Sequence, residues 1–417
     1  MLVNLLSACL LFAAAAAAAD PGLVDQPPAD AGRADSDRAV PTDRGWMVPY
    51  TQTIPGTDAR FRMVPVPGGV ARLPVHADGE PAAYCEVELP PFWIGECEVT
   101  WAEYKQYMAL DSQYARLQQL ATLGKEAADE LREMPNLARE LSRSRTAPTD
   151  QMGVDAVTAP TPLYDPSTTY ESGEDPRLPA VTMTPFAARQ YTKWLSALTG
   201  HTYRLPSEAE WLWAAAAGEG VDFQAEGDAD ALDAVAWHTD NSDWVAHEVG
   251  EKEPNAWGLH DTLGNVAELV LDAQHEAGRP DLAGKRVAWA EGIAWPRDDA
   301  PRIAKGGWYD ADPTKVTLAA RTLTDFDEWR SSDPNLPLSP WWFSDYPATG
   351  VGFRVVRMLG PLPEDLQSRV WNAEDESVAR DVDERLREGR GKLGPIGESL
   401  PQVVEELQSP TVRKLLE

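Results

Sequence analysis

The chain has 417 residues, enough to bury a large core in one elaborated domain or two, and a formal net charge of −30. That acidic balance excludes a phosphate-tracking nucleic-acid surface and disfavours anionic membranes, leaving cationic, neutral or metal-ion partners.

Residues Leu2 to Ala19 form an apolar run ending in Ala17-Ala18-Ala19 before Asp20. This is the pattern of a secretory signal peptide over residues 1–19, too short and too Ala-rich to span a membrane, and it predicts a secreted or periplasmic chain. Leu6-Ser7-Ala8-Cys9 imitates a lipoprotein cleavage box, but most of the apolar run follows Cys9, which favours ordinary cleavage near Ala19. Residues 20–58 are rich in Asp, Pro, Ala and Gly with little periodicity and read as a disordered or loosely attached leader.

The folded domain is expected over residues 59–360, opening with a strand at Phe61 to Pro67. Cys85 and Cys97 flank a segment that alternates apolar and polar residues around Pro90-Pro91, as two paired strands would. A disulfide between them and two buried free thiols are both open. Trp101 to Met108 reads as a helix. Residues 111–177 form an insertion, helical from Asp111 to Arg145 with breaks near Gly124 and Pro135, then loop-like. Thr184 caps a helix with Pro185 at its first position and Gly200 at its end. Ser207 and Glu210 form a capping box for a helix through Ala217, stopped by Gly218. Residues 219–360 are rich in Gly, Trp, Asp and Pro, with short strand-like runs such as Val351 to Val356. The tail, 361–417, is charged and helix-favouring, suited to packing on the domain or to self-association.

Asp261 and Glu268 are separated by a Gly264-Asn265 turn, and their hard oxygens suit Ca²⁺. An Asp in a turn and a Glu in a salt bridge would give the same pattern. The six histidines form no H-x-H, H-x-x-x-H or H-x-x-E-H array, so spacing supports no zinc or iron site. No nucleophile elbow or phosphate loop is present. Toward the C-terminus gather Trp308, Tyr309, Asp310, Arg321, Trp329, Arg330, Trp341, Trp342, Tyr346 and Arg354. Aromatic faces beside paired charges suit ligand pockets, and they also suit a loop-rich core. Trp308, Tyr309, Asp310, Arg321, Trp341, Trp342 and Arg354 are the cleft candidates, with Trp341-Trp342 expected to be exposed in a Pro-rich insertion.

Five blocks occur in order: Glu98-Val99-Thr100, Tyr203 to Trp211, Asn255 to Glu268, Lys305 to Pro313 with Leu318 to Arg321, and Gly350 to Arg354. With them the chain resembles the formylglycine-generating enzyme (sulfatase-modifying factor) family over roughly residues 60–357, the insertion excluded. The resemblance implies a compact α+β fold of the C-type-lectin-like kind, with little regular secondary structure and a cleft near Gly306-Gly307. It implies a structural Ca²⁺ held by Asp261, the carbonyls of Gly264 and Val266, and Glu268. A second family calcium site does not carry over, because Trp237 to Glu248 is shortened. Family members oxidise a sulfatase cysteine with a copper-binding cysteine pair placed after the K/R-G-G-S motif. Here Trp308 stands at the Ser position and no cysteine follows. Copper(I) needs soft thiolates, so no copper site and no catalytic residue for that chemistry is found.

Three functions remain. The chain is a secreted relative without oxidase activity whose cleft binds a ligand, peptide or partner protein, and the missing cysteines favour this. Alternatively, it is an oxidoreductase with a different metal site, or a structural or assembly component. A fold by itself does not choose among them.

Overall fold

The computed structural model describes residues 20–27, 39–75, 83–123, 130–144, 156–161, 175–219, 229–297, 300–325, 328–374, 376–397 and 399–416. The signal-peptide segment, Cys9, residues 28–38 and most of the 146–177 loop lie outside these.

The leader differs from the expectation of disorder. Leu23–Val24 (β1), Val40–Thr42 (β2) and Gly45–Met47 (β3) form a small sheet in the order β1-β3-β2. Tyr50–Thr53 (β4) then pairs antiparallel with Arg60–Val66 (β5), Tyr50 opposite Met63. Apolar anchors explain why this Asp- and Pro-rich stretch is held. Met47, Tyr50 and Ile54 are buried, the Tyr50 ring meets Trp93 edge-on at 6.0 Å, and Asp20 pairs with Arg357.

Gly69–Pro74 (β6) and Tyr84–Leu89 (β7) pair with each other, whereas Phe92–Gly95 (β8) pairs with β5. The segment between the cysteines therefore divides between two sheets instead of forming one hairpin. Both thiols are free. The disulfide is not formed: Cys85 lies opposite Leu73 within the β6–β7 ladder, and Cys97 follows β8 near Gly250.

Two helices carry the core, and their ends follow from their sequences. Over Pro185–Thr199, the Thr184 hydroxyl accepts from the Ala187 amide (3.2 Å), and Gly200 closes the helix in the left-handed region at φ 70°. Its Tyr191 packs on Tyr104 and Phe353 at 5.6 and 5.4 Å. The Glu208–Ala215 helix starts at the Ser207–Glu210 capping box and ends two residues before the expected Ala217. Glu210 has a second role here, taking Arg204 bidentately at 2.7 and 2.6 Å.

Tyr203–Arg204 (β10) joins the five-stranded sheet, ordered β10-β16-β8-β5-β4, where β16 is Val356–Met358. A second, four-stranded sheet positions the site. Ala267–Ala273 (β11), buried on both faces, runs antiparallel to Arg302–Lys305 (β13), which pairs with Arg321–Thr324 (β14). Val351–Gly352 (β15) lies parallel on the other side of β11. The registers place Gly352, Glu268, Lys305 and Arg321 in one row across the sheet. The expected strand Val351 to Val356 thus splits into β15 and β16 in different sheets, and Phe353, Arg354 and Val355 cross the interior between them. Arg286–Ala288 (β12) adds to β7 in parallel.

The insertion supplies the helices Leu110–Thr122 and Pro135–Ser144 and the strand Ala156–Ala159 (β9). In the tail, Lys392–Pro395 (β17) pairs with β9, and the Leu400–Leu407 helix packs on both insertion helices. Insertion and tail bury apolar faces that neither could cover alone. No helix among the described residues is long and apolar enough to cross a membrane.

Candidate functional site

The site is built on two glycine turns that clasp each other. After β13, Gly306 and Gly307 take φ of 95° and 76°, and a Cβ on Gly306 would lie 2.7 Å from the Thr262 carbonyl oxygen. The Gly264 amide donates to the Gly306 carbonyl (3.0 Å). Gly264, at φ 72°, lies so close to Trp237 that a Cβ would sit 2.0 Å from its carbonyl oxygen. The Tyr309 amide then donates to the Asn265 carbonyl (2.8 Å), fixing the residues after the Gly-Gly pair against the Asp261–Glu268 segment.

Trp308, Tyr309 and Asp310 come together at this clasp. Trp308 and Tyr309 meet at 5.2 Å and 63°, and the exposed Tyr346 ring meets Trp308 at 5.4 Å. The Tyr346 hydroxyl donates to Asp310 Oδ2, and the Thr239 hydroxyl donates to Asp310 Oδ1 (3.2 Å). Tyr309 donates to Thr349 (3.2 Å), so loops near 239 and 346 close on the motif from opposite ends of the sequence.

The other cleft candidates lie elsewhere. Arg321 holds Glu208 bidentately at 2.7 and 2.8 Å and reaches Gln274 at 3.0 Å. Lys305 joins the same carboxylate at 3.2 Å, and Asp272 accepts from the Glu208 amide (2.7 Å). Burial pushes Asp272 up to about 7, helped by the nearby Glu208 charge, and drives Lys305 down to about 8. This cluster backs a shallow open hollow that Gln274, His275, Arg279 and Arg321 help to line. Trp308, Tyr309 and Asp310 take no part in it. Trp341 and Trp342 were expected at the surface and are instead buried. Their indole N–H groups donate to Thr158 Oγ1 (3.1 Å) and the Thr161 carbonyl (2.7 Å), fastening the insertion to the domain.

Arg354 is also interior. It holds Glu268 through Nε and Nη2, both at 2.5 Å, and gives further hydrogen bonds to the carbonyls of Gly95, Glu96 and His260. Trp211 Nε1 adds a third donor to Glu268 (2.7 Å). Glu268 therefore already has its counter-charge, which is the salt-bridge alternative of the sequence pattern. Asp261 has none. Its Oδ2 accepts from the Gly250 amide (2.6 Å), while Oδ1 is buried without a partner. Glu98, missed as a site residue although its motif is visible, has the same character: Oε1 accepts from Asn265 Nδ2 (3.2 Å) and Oε2 is buried without a partner. Burial, and then the Asp261 charge, push Glu98 well up.

Orphaned carboxylate oxygens are hard ligands of the kind that calcium prefers. Among the described residues no group of three or more His, Cys, Asp or Glu side chains could hold a metal, so backbone carbonyls such as those of Gly264 and Val266 would have to complete the shell. Copper does not fit. Cys85 lies in the β6–β7 ladder and Cys97 in the bend after β8, and burial pushes both thiols up, away from the thiolate that binds metal.

In sequence, residues 51–333 match the family described as Sulfatase-modifying factor enzyme 1-like domain. No curated protein sequence matches the chain. Among solved structures it is similar to Treponema denticola variable protein 1 (20% identity, TM-score 0.45, covering 74% of this chain and 99% of that one). It is similar also to PvdO from Pseudomonas aeruginosa (23% identity, TM-score 0.44, 74% and 100%). CarF is more distant (17% identity, TM-score 0.36, 72% and 98%).

Proposed function

The chain belongs to the Sulfatase-modifying factor enzyme 1-like domain family, and from that premise we propose that it is an exported, non-oxidase member whose cleft beside Gly306-Gly307 binds a ligand or peptide. One observation carries the reading: the motif leads into the Trp308–Tyr309–Asp310–Tyr346 cluster, where a copper oxidase would need two thiolates. Aromatic faces around a fixed carboxylate offer contact area with few rotamers to freeze, which is what a binding site needs.

The scaffold behind the cleft carries calcium in this reading. Asp261 and Glu98 supply the charge, and the carbonyls of Gly264 and Val266 complete the shell. The ion's chemistry is structural: it holds the Asp261–Glu268 turn on which the Gly-Gly clasp rests. Glu268 contributes through Arg354, which ties the turn to β8 and to the crossing after β15.

The test is direct. Purified protein incubated with copper and a Cys-x-Pro-x-Arg peptide leaves the peptide mass unchanged in mass spectrometry. Conversion of the thiol to an aldehyde would overturn the reading. Export is tested separately, by the N-terminus of protein recovered from culture: a start near Asp20 supports it, and retention of Met1 sinks it.

A further inference from the structure

Resting on the reading that this cleft binds a ligand, we propose that the ligand presents an organic cation, an alkylammonium or guanidinium group, to Trp308, Tyr346 and Asp310. Elsewhere in the chain several aromatic faces and buried acids carry a cation. Arg204 covers Trp289 at 4.2 Å, Lys252 covers Trp237 at 3.9 Å, Arg357 covers Trp93 at 4.4 Å and Arg369 covers Trp295 at 4.3 Å. Three interior carboxylates are matched likewise: Glu208 by Arg321 and Lys305, Asp333 by Arg385, Glu268 by Arg354; Glu98 and Asp261, each with an orphaned oxygen, are exceptions.

The cluster beside Gly306-Gly307 has the aromatic faces and the carboxylate without the cation. Among the described residues no Lys or Arg lies over Trp308 or Tyr346, and none pairs with Asp310. Among the described residues Asp310 accepts from two neutral hydroxyls, Thr239 and Tyr346, which orient the carboxylate. Lys315, the next cation along the chain, lies beside Asp312.

The cluster is also preorganised. Tyr346 is 61% exposed, yet its hydroxyl is tied down on Asp310. Trp308 is seated on Gly350, where a Cβ would fall 1.6 Å from ring atom Cε3. A ring quadrupole beside a fixed carboxylate attracts a cation, and rigid side chains lose little entropy on binding. The overall charge of −30 draws cations toward this surface and repels anions.

The experiment uses the full chain and two isosteric pairs: choline with uncharged 3,3-dimethylbutan-1-ol, and Nα-acetylarginine amide with uncharged Nα-acetylcitrulline amide. Binding is measured by saturation-transfer NMR and calorimetry at low and high salt. The cationic member of at least one pair binds ten-fold or more tightly than its neutral partner, and salt weakens it; which pair responds distinguishes an ammonium from a guanidinium source. Asp310→Asn lowers that affinity at least ten-fold, and so does Tyr346→Ala, whose exposed position spares folding. Equal binding of charged and neutral partners, lost in Tyr346→Ala, overturns the cation and leaves the cleft standing. Binding indifferent to both substitutions, or absent for all four probes, overturns the proposal, and indifference to Tyr346→Ala removes the cleft reading with it.

Discussion

Trp308 lies against the backbone of Gly350, so closely that a methyl group at residue 350 would meet the indole at 1.6 Å. The ring is rigid and also meets Tyr309 and Tyr346, so it cannot turn aside cheaply. Gly350→Ala is expected to destabilise the protein by about 1–3 kcal/mol, the usual cost of overpacking, and to weaken any binding at the cleft. Urea denaturation and near-ultraviolet circular dichroism check this. A variant with the wild-type midpoint and aromatic spectrum would show that the seat is not occupied as described.

The Glu268–Arg354 pair makes a different kind of prediction, because both side chains are fully buried. Removing one partner leaves a charge in the interior, at a cost of about 3–5 kcal/mol. Glu268→Leu and Arg354→Met should each destabilise on that scale, and the double variant should lose much less than the sum. Additivity within about 0.5 kcal/mol in urea denaturation would mean that the two are not coupled.

Calcium is tested by separating charge from packing. EGTA should lower the melting temperature of the wild-type protein. Glu98→Gln and Asp261→Asn should melt at nearly the same temperature with and without EGTA, since each removes a carboxylate charge from the orphaned pair. Glu98→Gln keeps the Oε1 acceptor used by Asn265, which limits its structural damage. Glu268→Ala should melt lower in both conditions, because it strips Arg354 of its partner. An unchanged wild-type melt in EGTA would sink the calcium assignment.

Helix ends set by local chemistry were legible: Thr184, Pro185 and Gly200 bound one helix, and Ser207 with Glu210 starts the next. The α+β class and the glycine turns followed from the family-like blocks. What escaped depends on contacts distant in sequence. Asp261 was visible as a carboxylate in a turn, but Glu98 reaches its neighbourhood from more than a hundred and sixty positions away through Asn265. Trp341 and Trp342 were misplaced because their burial depends on Thr158 and Thr161 of the insertion. The leader was misread because composition reported its Asp and Pro, while Met47, Tyr50 and Ile54 hold it to the core.

Glu103 gives a pH dependence with a definite sign. Its carboxylate accepts from the Thr100 amide and hydroxyl at 3.1 and 2.7 Å, and burial pushes its pKa from 4.5 up to about 7. Between these values the folded state binds the proton and the unfolded state does not, so stability falls as pH rises. The contribution is fully present below about pH 4.5 and lost on passing pH 7. Asp272 acts in the same direction. Glu103→Gln keeps the acceptor and removes the titration, so its stability should fall less between pH 5 and pH 8 than that of the wild type. Identical slopes in urea denaturation would contradict the assignment.

A carboxylate of the tail caps a helix of the insertion. The helix Pro135–Ser144 begins with a proline, and its next two amides, at Asn136 and Leu137, have no intrahelical acceptor. Glu406, from the tail helix Leu400–Leu407, supplies one: Oε2 accepts from the Leu137 amide (2.6 Å), and Oε1 accepts from Asn136 Nδ2 (2.9 Å) and its amide (3.4 Å). The carboxylate also sits at the positive end of the helix dipole. It is thus an N-cap supplied from 270 residues away. Glu406→Ala should cost about 0.5–2 kcal/mol, the range for losing a cap, and the loss should be local to insertion and tail. Hydrogen exchange should therefore quicken at Leu137 and its neighbours and at Val403 to Leu407, while the Pro185–Thr199 helix keeps its protection. Uniform loss of protection across both regions would show that the tail is part of the core's own cooperative unit and not a clasp on the insertion.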